Sequence, residues 1–134
     1  MTLIDSNVVI DILARDPTWF EWSFEALNKQ AAQRALFVDE VVYSEIAVHS
    51  ANEIALDQSL RDIDLQFQAI PKSALFLAGK VFGRYRSAGG TRTSNLPDFF
   101  IGAHAQIVGL PILTRDVRRY RTYFPDVALI TPDV

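Results

Sequence analysis

The stretch MTLIDSNVVIDIL, residues 1–13, sets a short apolar run, Thr2 to Ile4, against a carboxylate at Asp5, after which the apolar residues resume. The run TLID reads as a buried strand, and NVVIDILARD, residues 7–16, reads as a helix that ends before Pro17. A carboxylate at such a strand–helix junction has two readings. Asp5 and Ser6 are residue types that cap a helix by accepting bonds from its free N–H groups. A carboxylate at the carboxyl end of a buried strand is also where an α/β sheet presents ligands to a metal or substrate.

Further along, the same alternation continues. Residues 18–35, TWFEWSFEALNKQAAQRA, predict a helix with Phe20, Phe24, Leu27 and Ala31 on one apolar stripe. LFVDE predicts a second strand, and VVYSEIAVHSA and EIALDQSLRDIDL predict consecutive helices. FQAI, residues 67–70, is a short strand candidate, and Pro71 opens a helix that runs to about Tyr85. SAGGTRTSNLP is the clearest loop. DFFIGAHAQIVG is a helix closed by Gly109, PILT is a strand, an arginine-rich turn or short helix follows, and VALIT is a last strand. Short apolar strands alternating with helices predict an α/β fold, with a central parallel sheet of four to five short strands and helices on both faces.

The chain has 134 residues, so 1–134 is expected to form a single domain with a sizeable core. Apolar residues make up 49% and charged residues 22%, a globular balance that argues against disorder. With no cysteine, neither a disulfide framework nor a thiolate metal site can form. No signal-peptide pattern opens the chain, and no apolar run approaches the ~18 residues that span a bilayer. The expectation is a cytoplasmic protein with no membrane partner.

The net charge of −3 by itself speaks against a nucleic-acid binder. Its distribution does not. Between residues 84 and 121 lie seven arginines (Arg84, Arg86, Arg92, Arg115, Arg118, Arg119, Arg121) against Asp98 and Asp116, a local balance of +5 that leaves −8 for the remainder. Such asymmetry fits a basic surface on an acidic body; a solvated helix face and loop is the plainer reading.

Parallel sheets take ligands in the crevice at the carboxyl ends of their strands, and four acids are placed to reach that rim. Asp5 follows the first strand, Asp116 follows PILT, Asp98 stands in the first turn of the helix before PILT, and Glu45 lies in the helix after the second strand. Asp5, Asp98 and Asp116 each have a local role open to them, as a cap, a helix-dipole partner or a turn residue. Glu45 sits among apolar residues in VVYSEIAV, with no lysine or arginine within a helical turn, so it needs a partner from elsewhere. A cation shared with the other acids is one.

Taken together, IDSNVVIDIL, the acid in VVYSEIA, and LPDFFIGAHAQIVGLPILTRDVRRY resemble, in order and spacing over nearly the whole chain, the PIN-domain nucleases, and most of all the VapC toxins of bacterial toxin–antitoxin pairs. The resemblance implies a PIN-like α/β sandwich and a metal-dependent endoribonuclease using Mg²⁺ or Mn²⁺. It carries the catalytic, metal-binding role onto Asp5, Glu45, Asp98 and Asp116, with Ser6, Asn7 and Thr114 in support. It also implies an RNA substrate, a homodimer and a cognate antitoxin that blocks the acidic pocket. Many relatives carry a further acid a few residues after the position of Asp116; Val117, Arg118, Arg119 and Tyr120 offer none, which implies a second metal that is weakly held or arrives with the substrate.

The chemistry agrees with that resemblance. Mg²⁺ and Mn²⁺ are oxygen-seeking ions held by a few carboxylates plus waters, and such a site needs no histidine base, so His49 and His104 are not required. Arg84, Arg86, Arg92, Arg115 and Arg118 are the expected RNA-binding residues, with Arg115 placed to grip the scissile phosphate. Trp19 and Trp22 point away from the Phe20–Phe24–Leu27 stripe and are the expected antitoxin contact. Two other readings stay open. One is a non-toxin phosphohydrolase on a similar sheet using Asp5 as nucleophile, although Asn7 stands where a second aspartate is usual. The other is a non-catalytic PIN-like binding module, against which the intact set of four acids speaks.

Overall fold

Three buried residues at the N-terminus, Thr2–Ile4, form β1 and the centre of the sheet. The computed structural model describes residues 1–91 and 96–132. After β1 come α1 (Ser6–Leu13), α2 (Phe20–Ala31), β2 (Leu36–Val38), α3 (Glu40–Ala47), α4 (Glu53–Asp62), β3 (Leu65–Phe67), α5 (Lys72–Ser87), α6 (Leu96–Val108), β4 (Ile112–Leu113), a 3₁₀ turn (Val117–Arg119) and β5 (Leu129–Ile130). All strand pairs are parallel, in the order β3-β2-β1-β4-β5. The α/β class and the parallel sheet of short strands match the expectation from sequence.

That strand order positions the site. From β1 the chain winds outward to β2 and β3, then returns past β1 to place β4 and β5 on the other side. The winding direction reverses between β1 and β4, and the carboxyl-end crevice of an open parallel sheet lies at such a reversal. Asp5 and Thr114, the residues that leave β1 and β4, therefore emerge side by side, with the Asp5 N–H donating to the Leu113 carbonyl at 2.9 Å.

The strands are buried on both faces where they carry the core: Leu3, Ile4, Phe37, Val38, Ile112 and Leu113 are almost wholly excluded from water. The helix α6 is buried over most of its length, and its Gly102 leaves room for the Phe124 ring, which a Cβ at that position would meet at 2.3 Å. Gly109 closes the helix with a φ of 75°, as expected, and both its N–H and that of Leu110 donate to the Ala105 carbonyl.

Two details differ from the sequence reading. The third strand is Leu65–Phe67, not residues 67–70, because Asp64 adopts a left-handed backbone (φ 57°) and ends the preceding helix early. Aspartate tolerates that conformation better than most residues. In α2 the buried positions are Ser23, Leu27 and Gln30, while Phe24 is 40% exposed. The helix is turned by polar anchors: the Ser23 hydroxyl donates to the buried Asp11 at 2.6 Å, and Gln30 accepts from Thr2. Phe20 and Phe24 stack on one another at 5.4 Å outside that face, and Trp22 comes to lie half-buried against the core.

One buried polar pair ties α6 to α3. Asp39 caps α3 through the Val42 N–H at 3.0 Å, and its other oxygen lies 3.0 Å from His104 Nδ1, the imidazole resting edge-on to Phe37. A carboxylate can only accept, so the proton of this bond sits on Nδ1. Asp39→Ala removes a cap and strands a buried imidazole, so urea unfolding is expected to show a loss of about 2 to 4 kcal/mol. The exposed Asp126→Asn is expected to stay within about 0.5 kcal/mol of wild type; equal losses for the two would show that the pair contributes little.

Candidate active site

Asp5 is fully buried and both of its oxygens are heavily used. Oδ1 accepts from the Ser6 N–H (2.8 Å) and from Arg119 Nη1 (2.6 Å). Oδ2 accepts from the Thr114 hydroxyl (2.8 Å), the Tyr120 hydroxyl (2.8 Å) and Asn7 Nδ2 (3.3 Å). Asp5 thus caps α1 and also anchors groups more than a hundred residues away. Asn7 stitches the crevice closed: it also donates to Thr114 Oγ1 (3.2 Å) and accepts the Arg115 N–H (3.1 Å).

Arg119 is the centre of the arrangement. Its side chain is 13% exposed and donates to three carboxylates from three elements: Nη1 to Asp5, Nη2 to Glu45 Oε2 at 2.7 Å, and Nε to Asp98 Oδ1 at 2.5 Å. The other oxygen of Glu45 accepts from the Ser6 hydroxyl at 3.0 Å. The partner that the apolar setting of Glu45 demands is therefore a guanidinium of this chain. Asp5, Glu45 and Asp98 are brought together. Asp116 is not part of that cluster: its side chain is exposed at the start of the 3₁₀ turn, and its backbone N–H donates to Thr114 Oγ1 at 3.0 Å.

Electrostatics follow from crowding. Burial pushes the Asp98 carboxyl above its ordinary value, Arg119 pulls it back in part, and Asp5 and Glu45 add to the rise. Burial works against the charge on Arg119, but Tyr120, Asp5 and Asp98 outweigh it and hold the guanidinium more firmly protonated than usual. The Tyr120 hydroxyl is pushed well above the usual tyrosine range, first by burial and then by Asp5, so it remains a donor.

Arg115, expected at the phosphate, is engaged elsewhere. Its Nε and Nη2 donate to the buried Asp11 at 2.6 and 2.9 Å, and its guanidinium lies over the Trp19 ring at 4.8 Å. A bidentate carboxylate pair stacked on an aromatic is a committed arginine. Arg84 and Arg86, on the last turn of α5, and Arg118 are exposed; Arg92 lies outside the described residues. Trp19 and Trp22 meet edge to face at 6.2 Å, and both are half-buried.

Sequence reasoning missed Arg119, Tyr120 and Asp11. Asp11 had a signal, since it interrupts the apolar run NVVIDIL just as Glu45 interrupts VVYSEIAV. Arg119 had none, being one of four arginines in TRDVRRYR, of which only the 3₁₀ turn selects it.

The donor set suits a hard divalent cation: three carboxylates with the Ser6 and Thr114 hydroxyls beside them, already gathered on a positive group. Among the described residues no three acids or histidines stand at ion-ligating distances from one another; their oxygens converge on Arg119 instead. The set fits a cation site with a guanidinium as the stand-in cation.

The raised Asp98 value fixes the sign of a pH effect. Between the ordinary value of 3.8 and the raised folded value, the folded protein holds the proton more tightly than the unfolded chain. Stability is thus fully present below 3.8 and declines as pH rises through the folded value. Asp98→Asn lacks that decline. In EDTA at pH 7 the variant is expected to melt at or above the wild-type temperature, with the difference vanishing towards pH 3.8; a variant melting several degrees lower at pH 7 would show that the bond to Arg119 outweighs the crowding.

The chain matches the family model described as PIN domain over residues 2–125. No curated protein sequence matches it significantly. Among solved structures, VapBC2 from Rickettsia felis, bound to a promoter DNA fragment, superposes with a TM-score of 0.74 at 14% identity, covering 98% of each chain. FitAcB from Neisseria gonorrhoeae gives 0.69 at 17%, covering 98% of this chain and 97% of that one. A toxin–antitoxin complex from Klebsiella pneumoniae gives 0.69 at 18%, covering 99% and 98%. Identities this low establish a shared fold, and the family match establishes membership: the chain belongs to the PIN domain family.

Proposed function

We propose that this protein is a VapC-type toxin: a Mg²⁺- or Mn²⁺-dependent endoribonuclease, cytoplasmic, held in check by a cognate antitoxin. The observation that carries the reading is the convergence of Asp5, Glu45 and Asp98 on one cation at the winding reversal of a PIN-domain sheet. The same three acids would hold the ion, with Asp116 at the exposed rim as the fourth. When bound, the ion supplies a Lewis acid for the phosphodiester and a lowered pKa for water. The protein's own groups do the rest. Thr114, Tyr120 and Asn7 fix the Asp5 carboxylate from one side, and Ser6 fixes Glu45. Positioning of this kind matters because a ligand that can rotate does not hold its geometry; losing such a partner typically costs roughly 10- to 100-fold in metal affinity or activity. The exposed Arg84, Arg86 and Arg118 track the RNA backbone, and Arg92 belongs to the same basic segment.

Water adds to phosphorus and the P–O3′ bond breaks, so the products carry a 5′-phosphate and a 3′-hydroxyl. Neither histidine joins the cluster as a base for a 2′-hydroxyl: His104 is buried against Asp39, and His49 is exposed just beyond α3. Purified protein incubated with RNA and Mn²⁺ is expected to cleave it, and EDTA to stop the reaction. Fragments ending in 2′,3′-cyclic phosphate, or undiminished cleavage in EDTA, would rule the mechanism out.

A toxin–antitoxin complex is among the solved structures that share this fold, which supports an antitoxin partner here; the homodimer rests on the resemblance to VapC toxins alone. Trp19 and Trp22 meet edge to face and are both half-buried, and part-exposed aromatic surface of this kind marks interfaces. Trp22→Ala is expected to weaken antitoxin capture in a pull-down while the free protein still cuts RNA. A variant that unfolds instead would place Trp22 wholly in the core.

A further inference from the structure

We infer that Arg119 is a built-in competitor for the divalent ion: the guanidinium occupies the acids in the metal-free protein and leaves them when the ion binds. This rests on the metal-dependent reading above. Three observations carry it. First, Arg119 uses an oxygen of each acid, Asp5 Oδ1, Glu45 Oε2 and Asp98 Oδ1, all at 2.7 Å or less. Second, Asp5 has no oxygen to spare, since Oδ1 also takes the Ser6 N–H and Oδ2 takes three other donors. A cation that claims Asp5 must displace a donor, and Arg119 is the only charged one among them. Third, the side chain is carried by a single 3₁₀ turn, Val117–Arg119, whereas the acids stand at the end of β1 and on the α-helices α3 and α6.

The arrangement solves a folding problem and creates a binding cost. Three carboxylates gathered without a counter-ion repel one another and each loses solvation. Arg119 neutralises part of that charge while the protein folds. The ion must then break three charge-assisted bonds, each stronger than a neutral one, so its affinity falls below what the bare acids would give. Metal sensitivity is in this way set by a residue that is not a ligand.

Mn²⁺ binding to the full chain, read from the electron paramagnetic resonance signal of the free ion, tests this. Arg119→Gln is expected to bind Mn²⁺ at least about tenfold more tightly than wild type, to melt lower than wild type in EDTA, and to regain the difference with Mn²⁺. Arg119→Lys keeps the charge but replaces the rigid planar fork with a compact, strongly hydrated ammonium whose three donors radiate from one atom, so it too is expected to bind Mn²⁺ more tightly than wild type. Lysine at wild-type affinity with glutamine tighter would mean simple repulsion by a charge that stays in place, and would overturn displacement. Equal or weaker binding by both variants, with wild type still binding Mn²⁺, would overturn the inference alone. If neither wild type nor the variants take up Mn²⁺ at millimolar concentration, the metal-dependent reading fails, and the inference with it.

Discussion

Like charges do not gather at the rim of a sheet unless something opposes them. Asp5, Glu45 and Asp98 come from the end of β1, from α3 and from the first turn of α6, and each approach removes water from a carboxylate. One guanidinium meets all three at once through Nε, Nη1 and Nη2, donors held in a fixed planar fork. The reach of Arg119 fixes how close the three elements stand at this end of the sheet. Around it, Tyr120 and Thr114 supply the remaining donors to Asp5, so the segment after β4 both neutralises and orients the acid that ends β1.

A second buried ion pair supports the first from behind. Asp11, one turn and a half along α1 from Asp5, takes Arg115 and the Ser23 hydroxyl, and Arg115 in turn lies on Trp19. The two arginines of this segment thus face opposite sides of α1's start: Arg119 towards the acids, Arg115 towards α2. Both cost desolvation, and both are repaid by several charge-assisted bonds with no buried side-chain polar atom left unpaired among the described residues. The Asp39–His104 pair does the corresponding work between α3 and α6. Three polar contacts of this kind set the positions of four helices around a small apolar sheet.

How much of this was legible depends on the distance over which each signal acts. Four of the five strands, the helix order and the position of Asp5 were readable because apolar runs and caps are local; the third strand was displaced by the left-handed turn at Asp64. The setting of Glu45 in VVYSEIAV called for a partner from elsewhere, and Arg119 is one. Its identity was not readable, because a partner 74 residues away leaves no trace in spacing. The stripe of α2 was misjudged by one position because Ser23 and Gln30 are buried by hydrogen bonds to Asp11 and Thr2, and hydrophobicity carries no such information. Asp116 was placed with the other acids by resemblance and by its position after β4; a turn of backbone at Thr114 leaves its side chain at the exposed rim. Arg115 and Arg119 are indistinguishable in the sequence, and their separate tasks arise only once the 3₁₀ turn has aimed them.

One guanidinium holds three carboxylates. Arginine-selective ¹⁵N NMR in EDTA reads it directly, through the exchange of each side-chain Nε–H with water. The Arg119 resonance, assigned by its disappearance in Arg119→Lys, is predicted to be shifted from the exposed arginines and slow to exchange, and to lose that protection as Mg²⁺ is added. An Arg119 Nε–H that exchanges as fast as those of Arg84 and Arg86 in EDTA would contradict it.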